Sequence, residues 1–183
     1  MTRRTGRKPR PPLDKERLNE LALFYVGRFA TTRAKLAAYL GRKLRERGWN
    51  GPGEPDVDAL VERFAEMGLI DDALYALSKS RSLSERGYGA GRVRLALRAA
   101  GIGEEDSAAA QDLAANEAVD AALRFAKRRR IGPFAASKPD RPAREKALAA
   151  MVRAGHGFEI ARALIDCEPG EEPELDDFRE KFR

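Results

Sequence analysis

A chain of 183 residues that is 43% hydrophobic can build one domain or a few small repeated units, and 35% charged with 7% aromatic residues suits a helical protein with much exposed surface. One cysteine, Cys167, excludes an internal disulfide framework, and one histidine, His156, excludes a histidine-based metal cluster. The formal charge of +6 is unevenly spread: residues 1–12 carry Arg3, Arg4, Arg7, Lys8 and Arg10 with no acid, whereas residues 168–183 carry seven acids against Arg179, Lys181 and Arg183.

A basic body behind a basic start favours a polyanionic partner or a strongly acidic protein groove; the plainer reading is that the charge serves solubility. No apolar run of about 18 residues is present, so no membrane span is expected. The start Met1-Thr2-Arg3-Arg4-Thr5-Gly6 lacks the apolar core of a signal peptide, and a cytoplasmic location is expected.

β-branched residues are few and no segment alternates for long, which argues against a sheet. Residues 1–12, rich in proline and arginine, read as a disordered arm. A first helix is expected from Asp14 to Phe29, with Leu18, Leu21, Ala22, Tyr25 and Phe29 on one stripe. Thr31 or Thr32 caps a second, running to Arg47 with Leu36, Leu40 and Leu44 inward and Arg33, Lys35, Arg42, Lys43, Arg45 and Arg47 around them. Gly48 closes it, and Trp49 folds back as an apolar plug.

Asp56 caps a third helix, whose stripe is Val57, Leu60, Val61 and Phe64. It stops at Met67-Gly68-Leu69-Ile70-Asp71-Asp72, a joint with nothing spare. Gly68 suits a left-handed residue at which any side chain would be strained and crowded. Leu69 and Ile70 are expected to be buried, and Asp71 or Asp72 to cap the next helix. That helix, Asp72 to Glu85, begins with Ala73, Leu74 and Leu77 and ends in a glycine-spaced loop, residues 86–91. A fifth helix, Ala90 to Ala100, turns Val93 and Leu97 inward beside an Arg94/Arg98 stripe, and Gly101-Ile102 closes it. A weak helix over 104–114 follows, then one from Asn116 to Arg130 that ends in Lys127-Arg128-Arg129-Arg130. An eighth helix runs from Arg141 to Ala154, and Gly155-His156-Gly157-Phe158 separates it from a ninth ending at Asp166. The acidic tail is expected to be loose, with Leu175, Phe178 and Phe182 able to dock as a short helix.

The stops recur at Gly48-Trp49, Gly101-Ile102 and Gly155-His156, each after a longer helix and before a shorter one. A three-helix unit of about 50 residues used three times accounts for this, since single units that small must stack to bury a continuous core. The expected fold is all-α: an elongated, curved array of repeats at 13–70, 71–115 and 116–167, between an arm at 1–12 and a tail at 168–183.

Two segments carry a family resemblance: Gly68-Leu-Ile-Asp-Asp-Ala-Leu-Tyr-Ala76, and Arg86-Gly-Tyr-Gly-Ala-Gly-Arg-Val-Arg-Leu-Ala-Leu-Arg-Ala-Ala-Gly-Ile102. They resemble the centre of the RecX family, with its Gly-Leu-(Ile/Leu)-Asp-Asp joint and, further on, Gly-x-Gly-Pro-x-Arg-Ile, a helix and Gly-Ile. The resemblance spans about residues 18–165. The family's usual proline is Ala90 here and a common glutamate is Ala96. It implies a regulatory protein that binds the RecA recombinase along its nucleoprotein filament and limits filament extension, in homologous recombination, DNA repair and the SOS response. A monomer is expected, with at most weak contact to single- or double-stranded DNA.

No enzyme and no cofactor are expected. Asp71 and Asp72 point about 100° apart on a helix, without a further metal ligand at suitable spacing, so capping outweighs catalysis. Gly87-x-Gly89-x-Gly91 has no preceding strand and no P-loop lysine, so a helix connection outweighs phosphate binding. His156 reads as a turn residue near the surface. The functional signal is basic: Arg42, Lys43, Arg45 and Arg47; Arg81 and Arg86; Arg92, Arg94 and Arg98; Lys127, Arg128, Arg129 and Arg130. Stacked repeats could align them into a stripe along a phosphate backbone or an acidic groove, whereas the bland alternative is a solvated face on each helix. Besides RecA regulation, an autonomous helix-turn-helix nucleic-acid binder and a plain helical scaffold remain open.

Overall fold

The structure, a computed structural model, describes residues 10–171 and 173–182. The first nine residues of the expected arm lie outside them. The described residues form α1 (Lys15–Val26), α2 (Arg33–Arg47), α3 (Val57–Glu66), α4 (Asp72–Glu85), α5 (Ala90–Ala99), α6 (Glu104–Asn116), α7 (Ala118–Arg129), a 3-10 turn (Gly132–Phe134), α8 (Arg141–Arg153), α9 (Phe158–Asp166) and α10 (Leu175–Lys181). The protein is all-α; its one β-type contact among the described residues is an isolated parallel bridge between Leu13 and Trp49. No described helix is long and apolar enough to cross a membrane. The chain divides into two compact units, one ending at Asp72 and one beginning at Ala73.

In the first unit, Leu18 and Ala22 of α1, Leu36 and Leu40 of α2, and Leu60, Val61 and Phe64 of α3 form one core, closed by Leu13 and Ile70. Each large side chain buried there contributes roughly 1.5–3 kcal/mol of transfer free energy. α1 starts at Asp14, whose carboxylate accepts from the Arg17 amide at 2.9 Å. It stops at Gly27, a turn earlier than the apolar spacing predicts, which leaves Phe29 half exposed. Thr32 caps α2 by accepting from the Lys35 amide. Trp49 packs against the core while its indole N–H donates to the Gly53 carbonyl at 2.8 Å.

The joint after α3 is a two-bond C-cap. The Gly68 amide donates to the Ala65 carbonyl and the Leu69 amide to the Phe64 carbonyl, both at 2.9 Å, with Gly68 at φ +70°. Two expectations change here. Leu69 is exposed and Ile70 alone is buried. A Cβ on Gly68 would meet nothing within 4 Å, so the strain there is in the backbone without crowding. The Asp72 side chain is only 5% exposed, yet it serves a different helix from the one it opens. Its Oδ1 accepts the Arg33 amide at 3.0 Å and its Oδ2 lies 3.6 Å from the Arg33 guanidinium. The carboxylate therefore caps the N-terminus of α2 across 39 residues.

The second unit holds two clusters of buried side chains. One takes Ala76 and Leu83 of α4, Val93 and Leu97 of α5, and Ala110 and Ala114 of α6. The other takes Val119, Ala122, Phe125 and Ala126 of α7, Met151 of α8, Ala161 and Leu164 of α9, and Phe178 of α10. Tyr88 packs against both. Contrary to the expected start of α4, Leu74 is exposed, and Ser80 and Ser84 are buried instead. Small residues let α4 and α6 approach, and the Ser80 hydroxyl donates to the Ala110 carbonyl at 2.8 Å. In the tail, Phe178 is buried and Phe182 packs beside it, while Leu175 is exposed. Arg179 anchors α10 to Asp120 of α7 at 2.8 Å, so part of the acidic tail is docked.

Left-handed glycines end α2 (Gly48), α5 (Gly101) and α8 (Gly155), but also α3 (Gly68) and α4 (Gly87). A glycine stop is thus a general device of these helices, which weakens it as a mark of repeat boundaries.

Candidate functional site

The loop between α4 and α5 is built by backbone-to-backbone contact with the turn between α8 and α9. The Gly89 amide donates to the Ala154 carbonyl and the Gly91 amide to the Gly155 carbonyl, both at 3.0 Å. A Cβ on Gly89 would stand 2.3 Å from the Gly155 oxygen, and one on Gly155 (φ +92°) would stand 2.2 Å from the Arg92 nitrogen. The spaced glycines exist because nothing larger fits between these chains. They cannot cradle phosphate with the two amides already committed.

His156 completes this contact and corrects the surface placement expected of it. The ring is buried, its Nε2 lies 3.2 Å from the Gly87 carbonyl, and it meets the Phe125 ring edge-on at 5.3 Å between centroids. With a carbonyl as partner, Nε2 carries the proton and donates. Burial, opposed by the Gly87 hydrogen bond and helped by the nearby Arg128 charge, lowers the imidazole pKa to about 4. His156 is therefore neutral at physiological pH.

Around this joint the structure gathers part of the predicted basic set. The Arg86 and Arg92 guanidiniums lie 5.4 and 5.9 Å from the centre of the Tyr88 ring. Arg128 and Arg129 lie 5.5 and 5.8 Å from that of Phe125, and Arg128 also donates to the Arg86 carbonyl. Lys127 sits 5.9 Å from the Phe134 ring. Each such contact is worth about 0.5–1 kcal/mol at an exposed site, enough to orient a side chain without neutralising it. Arg86, Arg92, Arg128 and Arg129 are all exposed. Arg130 follows at the end of α7 in a left-handed conformation, φ +54°.

The remaining predicted residues stand apart from that group. Arg81, Arg94 and Arg98 are exposed and make no ion pair among the described residues, and Arg94 and Arg98 share the α5 face beside buried Val93 and Leu97. In the first unit Arg42 and Lys43 flank the Tyr39 ring at 5.6 and 5.8 Å and share Glu46, at 3.7 and 2.5 Å. Arg45 is exposed, and Arg47 donates to the Pro11 carbonyl at 2.9 Å. Sequence reasoning missed Phe125 and His156 as organisers of the cluster, and Arg124, whose Nε donates to the Ser84 carbonyl at 3.1 Å. Only the coincidence of a glycine triplet and a distant Gly-His pair hinted at them. Among the described residues no three His, Cys, Asp or Glu side chains come together in a metal-binding group. Cys167 is half-buried, and burial raises its thiol pKa, away from the reactive thiolate.

No family model matches the chain. It is 34% identical over 160 residues to a regulatory protein RecX of Myxococcus xanthus (strain DK1622), covering 83% of this chain and 86% of the relative. It is 31% identical over 148 residues to a regulatory protein RecX of Agrobacterium fabrum (strain C58 / ATCC 33970), covering 79% of each. The fold is shared with the crystal structure of RecX from Lactobacillus salivarius, at TM-score 0.60, 20% identity, and coverage of 82% of this chain and 93% of that one. A further crystal structure of regulatory protein RecX aligns at TM-score 0.59 and 24% identity over 82% of this chain and 71% of that one. By this identity and coverage, the chain belongs to the RecX family of regulatory proteins.

Proposed function

We propose that this protein regulates the RecA recombinase by binding its nucleoprotein filament, and that the effect is inhibition of recombination and repair activity. Family membership directs the reading to RecA. The observation that carries it on this chain is the exposed cluster of Arg86, Arg92, Arg128 and Arg129, ordered on Tyr88 and Phe125. Ordered guanidiniums suit an acidic protein groove, because planar forks held in place lose little entropy when they pair with carboxylates. The reading takes a cytoplasmic monomer as the active form. Its repeats, at 13–70, 71–115 and 116–167, offer successive helical faces to successive filament subunits.

The test is RecA-dependent ATP hydrolysis on single-stranded DNA with the protein well below the RecA concentration. Inhibition is expected there, and Arg86→Glu with Arg92→Glu should weaken it about tenfold or more through charge reversal at the contact. Inhibition that appears only when the protein coats all the DNA, and that the double variant leaves intact, would instead favour an autonomous helix-turn-helix nucleic-acid binder.

A further inference from the structure

We propose that the cleft between the end of α7, the 3-10 turn and α8 is a docking site for an acidic peptide segment that inserts one large apolar side chain. The cleft lies wholly within the second unit. It shares only Arg129 with the cluster assigned to RecA, and it takes its ligand whether or not that assignment holds.

The cleft holds about 280 Å³. Ile131, Ala147, Ala150 and Ile165 form its floor, and all four belong to the apolar cluster of α7, α8 and α9 or pack against it. The turn beside it is fixed, because a Cβ on Gly132 would collide with the Leu164 carbonyl of α9. Arg129, Arg130 and Lys146 stand at the rim, all exposed and without an ion pair among the described residues. No acidic side chain lines the cleft. The acids on the neighbouring helix ends are engaged elsewhere: Asp140 accepts the Ala143 amide, Glu145 pairs with Arg141, and Asp166 pairs with Arg144 and Arg162. Three uncompensated cations around an apolar floor attract an anion that also carries an apolar group.

Arg130 gives an independent reason to look here. Left-handed residues end α2, α3, α4, α5 and α8 as well, and each of those is a glycine. Arg130, at φ +54°, is the only side chain held in that conformation among the described residues. Glycine would end α7 without strain, so the strained arginine points to a use for its charge at the rim.

The lining selects the class of ligand. Apart from the three cations it is isoleucine, alanine, glycine and proline, with no aromatic ring to stack on a base and no side chain to read its edge. The volume lies at the small end of metabolite pockets. One leucine-sized side chain fills such a floor, and carboxylates on either side of it reach the rim.

Fluorescence anisotropy on the full chain without RecA tests this with a labelled peptide, Glu-Asp-Glu-Leu-Asp-Glu-Asp, and a second peptide with serine in place of the leucine. The leucine peptide should bind saturably, and the serine peptide about tenfold or more weaker. Arg130→Gly should weaken binding about threefold and, with Lys146→Ala, about tenfold. The same Arg130→Gly variant should melt no lower than wild type, because it relieves the left-handed backbone. Ala143 is exposed on the cleft wall, so Ala143→Trp should block the floor with every charge kept and the circular dichroism spectrum unchanged. Arg42→Ala/Arg45→Ala, in the first unit, should leave the affinity as it was. Equal binding of the two peptides, or wild-type affinity in Ala143→Trp, would reduce the site to general charge attraction and overturn the proposal. So would a labelled oligothymidine that binds more tightly than the leucine peptide and is weakened as much by Arg130→Gly/Lys146→Ala, which would give the rim to phosphates.

Discussion

Acidification should destabilise the second unit through one residue. His156 is held neutral in the fold, with its pKa lowered to about 4 from an ordinary 6.5. In the unfolded chain it takes up a proton below 6.5, and the fold does not until about 4. The stability that the neutral ring contributes is therefore complete above pH 6.5 and lost as pH falls toward 4. At 1.36 kcal/mol per unit, the loss between pH 6.5 and 4.5 is about 2 kcal/mol. Carboxylates titrate in the same range, so the measured quantity is a difference between wild type and His156→Gln, whose amide can still donate to the Gly87 carbonyl. Urea unfolding should be followed by far-UV circular dichroism, because the single tryptophan, Trp49, lies in the first unit. Wild type should lose about 2 kcal/mol more than the variant across that interval. Parallel stability curves for the two proteins would refute a buried, neutral His156.

Two glycines with left-handed backbones should respond differently to alanine. Gly68→Ala meets open space and should cost about 1 kcal/mol, whereas Gly155→Ala drives a Cβ against the Arg92 backbone and should cost about 3 kcal/mol or more; thermal melts of both variants compare them. Asp72→Ala uncaps α2 and should cost about 2–3 kcal/mol, with Asp72→Asn costing less because an acceptor remains; Trp49 fluorescence during urea unfolding reports it. Arg94→Glu with Arg98→Glu should weaken RecA filament binding in a pull-down while leaving the circular dichroism spectrum unchanged, since both side chains lie off the buried Val93/Leu97 face. Unchanged binding would make the α5 arginines a solvated face only.

Helix positions, their capping residues and the all-α class were legible in the chain because they rest on local chemistry. Apolar spacing, Asp14, Thr32 and Asp56 at helix starts, and glycine stops act within a few residues. The family signature was legible for a related reason: Gly68 and Gly87 occupy left-handed positions that few other residues tolerate. The basic residues could be counted but not grouped. Arg86 and Arg128 meet across 42 residues, and no periodicity encodes that.

Only the tertiary structure decided which helix Asp72 serves, that the glycine triplet receives the α8–α9 turn, and that His156 is buried. Each depends on a contact between segments far apart in the chain, where exclusion of water and lack of space, rather than local preference, set what a residue does. By itself the sequence determined the helices, their stops and the excess of positive charge; packing alone determined which of those charges stand together.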